Sequence, residues 1–130
     1  MNWLIRAAAV ILYPRTENFP GAEDCDLDDF IVKFRRECPP LMWLGTVAGA
    51  VLFHLTPILT VHVPLPAFWL PKALADKHAH QVTSVDSYYL RQLVFLLKLP
   101  IGMAWGAHPE VRKRFALAPY ETDPNTWRTE

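Results

Sequence analysis

An all-α fold is what this sequence predicts: a small, irregular helical bundle over residues 1–118, with a Pro-rich extended strap inside it and a polar tail at 119–130. Three observations lead there. Leu27, Phe30, Ile31 and Phe34 stand at i, i+3, i+4 and i+7, the spacing that lines apolar side chains along one side of a helix. The long apolar stretches at 41–56 and 88–97 are helical by length and composition. The chain also has 12 prolines, which punctuate these segments.

Residues 3–12 form a short helix that ends before Pro14, and Pro20-Gly21 marks a turn. The opening superficially looks like a secretory signal, but it has no basic leading region and Arg6 interrupts its apolar run. The expectation is a cytoplasmic or membrane-associated chain. The next helix starts at Asp26, a good N-cap, with further acid in its first turn. It carries Lys33, Arg35 and Arg36 in its last turn, where the helix dipole favours cations. Cys38-Pro39-Pro40 stops it.

Leu41 to Thr56 is the next helix, in which Gly45, Ala48 and Gly49 form a small-residue patch that lets another backbone approach closely. Pro57 bends or ends it. Ile58–Val63 is short, apolar and partly β-branched, and Val63–Pro71 is the extended strap, bearing Phe68 and Trp69. Lys72–His80 reads as a polar helical connector. Thr83-Ser84-Val85-Asp86 resembles a capping box and opens a helix through Tyr88, Tyr89, Leu93 and Leu97, with Arg91 and Lys98 on one polar edge. Pro100 and Gly102 kink or end that helix, leaving Ile101–Ala107 as a second piece. Pro109 begins a last short helix anchored by Val111 and Phe115, with Arg112, Lys113 and Arg114 in water. In the tail, Trp127 is the one strong sticking point.

Charge is balanced, 13 basic against 13 acidic side chains, so no nucleic-acid partner is expected. Its distribution is uneven, because residues 38–71 hold no Asp, Glu, Lys or Arg at all. Such a run needs cover, and burial in an interface or core is favoured over contact with a membrane surface, with a spanning helix last. Tyr88-Tyr89 beside Arg91 suits either a membrane boundary or a protein interface. Cys25 and Cys38 permit a disulfide, but free thiols are the favoured reading.

No motif for chemistry stands out. The glycines are scattered, with no phosphate loop, Gly-x-Ser-x-Gly, Cys-x-x-Cys or His-Glu-x-x-His. His78 and His80 are two apart in a polar segment, which on a helix points them to different sides; they read as ordinary surface histidines rather than metal ligands. His54 and His62 lie in apolar sequence and read as hydrogen-bonded core or interface histidines, with haem ligation the sharper alternative. The acids at 23–29 are explained by helix capping and solvated charge. No catalytic, cofactor-binding or metal-ligating residue is assigned to this chain.

Two sets of residues carry a family resemblance. At the start, Ile11-Leu12-Tyr13-Pro14-Arg15-Thr16-Glu17, then Pro20-Gly21-Ala22, then Leu27-Asp28-Asp29-Phe30-Ile31 follow in order. Near the end come Tyr89 to Lys98, Trp105-Gly106-Ala107-His108-Pro109-Glu110-Val111 and Ala118-Pro119-Tyr120. Together they resemble the gluconate 2-dehydrogenase subunit 3 (small-subunit) family, over about half the chain. The resemblance implies a helical, non-catalytic companion of a glucose–methanol–choline-type flavoprotein large subunit, which binds FAD and oxidises an alcohol. The motif residues look structural, so the resemblance transfers no catalytic role. An unusually apolar 41–71 adds the expectation of a lipophilic, sterol-like substrate or an assembly beside a membrane surface. The residues expected to meet the partner are Trp43, Leu44, Val47, Phe53, Phe68, Trp69, Tyr88, Tyr89 and Leu93. A small integral or monotopic membrane protein without an enzyme partner is the alternative.

Overall fold

Proline sets most of the helix boundaries. The computed structural model describes residues 1–118; the expected polar tail, with Trp127, lies outside them. Over those residues the chain forms seven α-helices and no strand: α1 Asn2–Leu12, α2 Leu27–Glu37, α3 Pro40–Leu55, α4 Pro57–Thr60, α5 Lys72–Thr83, α6 Tyr88–Ala107 and α7 Pro109–Arg114. Single 3-10 turns fall at Ala22–Asp24 and Ala67–Trp69. Pro40, Pro57 and Pro109 each occupy a first helical position, where the missing amide costs nothing. The fold class expected from the sequence is the one observed.

Ile58, given no element from sequence, belongs to the short helix α4 that Pro57 starts. Four local expectations need correction. The extended strap is interrupted by a 3-10 turn at Ala67–Trp69. Asp26 sits at the N-cap position of α2, yet its side chain makes no capping hydrogen bond. Thr83 and Ser84 open no helix; they close α5, their hydroxyls donating to the carbonyls of Ala79 and His80 at 2.8 and 2.7 Å. Ser87 is the residue that precedes α6. Pro100 does not end α6, which runs on to Ala107. Proline at that position leaves the Leu96 carbonyl without its amide, and the Thr46 hydroxyl of α3 lies 3.3 Å from that oxygen.

α3 and α6 form the central pair and run antiparallel, Gly45 facing Leu96 and Gly49 facing Leu93 and Leu97. The small-residue patch expected at 45–49 does admit a backbone, and that backbone is α6 of the same chain. A Cβ on Gly49 would stand 2.2 Å from the Leu93 carbonyl oxygen, so only glycine permits this approach. α1 packs across the pair with Ile5, Ala8 and Ala9, and Leu27, Ile31, Phe53, Val82, Val94, Leu97 and Ile101 complete the core.

The two ends of the described chain are clasped together. The Trp105 indole N–H donates to the Pro20 carbonyl at 2.8 Å, with its ring 5.5 Å from Tyr13 and 5.8 Å from Phe19. Phe19 stacks on Phe115 at 5.4 Å, and the Ala22 amide donates to the Tyr13 carbonyl at 2.8 Å. Arg15 pairs with Asp24, whose carboxyl also accepts from the Gly21 amide at 2.9 Å. The Arg15 guanidinium, with help from that amide, holds the Asp24 carboxyl below its ordinary pKa. Cys25 and Cys38 are both free thiols.

Candidate docking face

Alanine takes much of the core, and many large apolar side chains lie outside it. Seven buried residues are alanines, Ala8, Ala9, Ala22, Ala50, Ala67, Ala75 and Ala104, whereas Leu41, Leu44, Leu55, Ile58, Leu59, Trp69, Tyr88 and Tyr89 are all more than half exposed. This inversion follows from the α3–α6 contact: glycine faces inward to let the backbones close, which leaves the leucines of α3 on the opposite side.

That outer side has a regular spacing. Leu41, Leu44, Ala48, Val51 and Leu55 of α3, and Ile58 of α4, succeed one another at alternating intervals of three and four residues, the spacing of an apolar seam that packs against another helix. Leu41 is 79% exposed, Leu44 62% and Leu55 62%. Thr46 and Phe53, on the far side of α3, are fully buried. The whole stripe lies within the uncharged segment, so nothing ionic interrupts it.

The residues expected at a partner interface divide into three groups. Leu44 is on the stripe, and Trp69, Tyr88 and Tyr89 are exposed, the two tyrosine rings 5.7 Å apart edge to face. Trp43, Val47, Phe68 and Leu93 are half-buried. The Arg35 guanidinium covers the Trp43 ring at 5.5 Å, and Phe68 packs edge-on against Trp3 and His54 at 5.4 and 5.2 Å. Phe53 is enclosed completely and is a core residue; helical geometry turns it away from the stripe on which Leu44 lies, so its expected partner contact is corrected. Leu41, Val51, Leu55 and Ile58 were not singled out from sequence. Their three–four spacing was readable, but without charged neighbours no polar side marked which face would be outside.

Two of the histidines are spent on the core. His78 is fully buried, contrary to the surface position expected for it. Its Nε2 donates to the Phe53 carbonyl at 2.8 Å and its Nδ1 meets the Thr60 hydroxyl at 2.6 Å. The signal that was missed is the spacing of Ala75, His78 and Val82, which puts the imidazole on the buried side of α5. A hydroxyl beside an oriented imidazole has the outline of a nucleophile and base. Thr60, however, also lies 3.2 Å from the Thr56 carbonyl, and neither the cavity beside α1 nor the groove along α6 takes in Thr60 or His78. His54 is buried, with Nε2 on the Leu4 carbonyl at 2.9 Å, as expected for a core histidine; its Nδ1 is enclosed and has no partner. His80 and His62 are exposed, so His62 is not the core histidine that was one of its two expected places. Among the described residues, no three His, Cys, Asp or Glu side chains come together to hold a metal ion. No helix of the described residues is long and apolar enough to cross a membrane.

Comparison with protein-family models, with curated proteins and with solved structures finds no match to this chain.

Proposed function

We propose that this chain is a non-catalytic helical subunit that docks on a larger partner through the outer face of α3. The observation that carries this reading is the Leu41–Ile58 stripe: a charge-free seam with helix-pairing spacing whose leucines and Ile58 are more than half exposed, on the side of α3 opposite its glycine contact with α6. Withdrawing each large aliphatic side chain of the stripe from water would contribute about 1.5–3 kcal/mol. Exposed contiguous apolar faces of this kind mark interaction sites.

The family resemblance gives the partner its chemistry: a glucose–methanol–choline-type flavoprotein large subunit that holds FAD and oxidises an alcohol, sterol-like if the partner works near a membrane surface. The resembling residues at the two ends spend their polar groups and rings on one another, Trp105 on Pro20 and Tyr13, Arg15 on Asp24. That use supports the reading of those motifs as structural. The test is purification of the tagged full chain from its native host. A flavin-containing protein co-purifying at fixed stoichiometry is the expected result. A chain that, expressed without a partner, is a monodisperse monomer and binds no apolar-surface dye would overturn the proposal.

A further inference from the structure

α6 carries a second feature, away from the docking stripe. Its only charged residues are Arg91 and Lys98, seven apart on one edge, or about 10 Å along the axis. Neither has a carboxylate partner: the ion pairs among the described residues are Arg6 with Asp28 and Arg15 with Glu23 and Asp24. Asp76 lines a neighbouring groove with Lys98 but is not within ion-pair distance of it. Arg91 also stands near the N-terminal end of α6, where the helix dipole disfavours a cation. Neither an ion pair nor the helix dipole accounts for Arg91, and no ion pair accounts for Lys98.

Between them the surface is concave. A groove of about 500 Å³ runs along this edge, with Val94, Phe95, Leu99 and Met103 as its apolar floor and no acidic residue in its lining. That volume is in the range of small-molecule sites. The opposite wall includes the Tyr13 ring, brought in because Gly102 has no side chain: a Cβ there would stand 2.9 Å from the Tyr13 hydroxyl. That hydroxyl has no hydrogen-bond partner among the described residues and is one more donor toward an anion.

We propose that this groove binds a single-chain anionic amphiphile of the fatty-acid class, its carboxylate at the Arg91 end with Lys98 on the same edge, and its chain along Phe95, Leu99 and Met103. Two unpaired cations select the anion, and the apolar floor selects the chain; a purely ionic or purely apolar ligand would leave one half of the groove unused.

The experiment is displacement of a fluorescent long-chain carboxylate by dodecanoate, kept below its micelle concentration, and by dodecanol, from the full chain carrying Leu44→Glu and Val51→Glu, so that the outer face of α3 does not take up the probe. Dodecanoate is expected to displace the probe and dodecanol to do so much less well. Because exposed ion pairs are individually modest, Arg91→Gln and Lys98→Gln should each weaken dodecanoate about threefold and together about tenfold, with the difference shrinking at high salt. Arg91 is exposed and Lys98 half-buried, and circular dichroism of the variants checks that the fold is kept. Equal competition by dodecanol, an unchanged affinity in the double variant, or binding only to vesicles of anionic phospholipid with no displacement by dodecanoate would each overturn the proposal.

Discussion

The Thr46 hydroxyl of α3 lies 3.3 Å from the Leu96 carbonyl of α6, the one backbone oxygen that Pro100 deprives of its helical amide. Thr46 is fully buried, and its hydroxyl is shared with the Met42 carbonyl at 2.9 Å. A carbonyl withdrawn from water without a donor costs about 1–3 kcal/mol, and the Thr46 hydroxyl, whose one proton is shared between the Met42 and Leu96 oxygens, offsets part of that cost at Leu96. Thr46→Val keeps the shape and removes the donor, and should destabilise the fold by about 1–2 kcal/mol in denaturant unfolding. In a Pro100→Ala background the amide returns and the same substitution should cost much less. Additive effects of the two substitutions would contradict this account.

The glycines of the helix pair divide sharply by what surrounds them. Gly49→Ala would drive a methyl into the Leu93 carbonyl at 2.2 Å, forcing α3 and α6 apart, and should cost about 3 kcal/mol or more. Gly45→Ala meets only the end of the Leu96 side chain at 2.7 Å, which can turn aside, so its cost should stay under about 1 kcal/mol. Gly106 has nothing within 4 Å, and alanine there should stabilise by about 0.5–1 kcal/mol through helix propensity. Thermal or denaturant unfolding of the three variants checks the order.

Stability should fall in mild acid because of two histidines. Burial holds both His54 and His78 below the ordinary histidine pKa of 6.5, and His78 is lowered further by the charge His54 would carry. The Leu4 carbonyl can only accept, so Nε2 of His54 carries the proton and Nδ1 is bare; protonating it would bury an N–H with no acceptor. As pH drops below about 6.5, the unfolded chain takes up these protons while the folded chain resists, so the unfolded state is favoured; above that pH the contribution is constant. Urea midpoints at about pH 7.5 and about pH 5.5 should differ, and His54→Gln with His78→Gln should flatten the difference. An equal drop in the double variant would place the acid sensitivity elsewhere.

Legibility of the fold in the sequence followed the reach of each rule. α2 was readable because its charged side contrasts with Leu27 and Ile31, and the starts at Pro57 and Pro109 were readable because proline acts on its own residue. Pro100 read as a break by the same local rule, whereas its compensation comes from Thr46, far away in sequence. Thr83 and Ser84 are chemically suited to either helix end, and the carbonyls of Ala79 and His80 took them. At the candidate site, Gly45 and Gly49 announced a close approach without saying whose backbone would fill it. Once α6 fills it, the exposed side of α3 is determined, and Phe53 goes inward while Leu44 goes outward.

The outer face of α3 is where the functional reading is most exposed to test. Leu44→Glu with Val51→Glu puts two charges on side chains that already meet water, so the fold should survive while the seam does not. Purified from the native host beside the wild-type chain, the double variant should retain the same circular dichroism and lose the co-purifying flavoprotein, with its flavin absorbance. Equal recovery of a flavoprotein by both chains, or by neither, would contradict docking through this stripe.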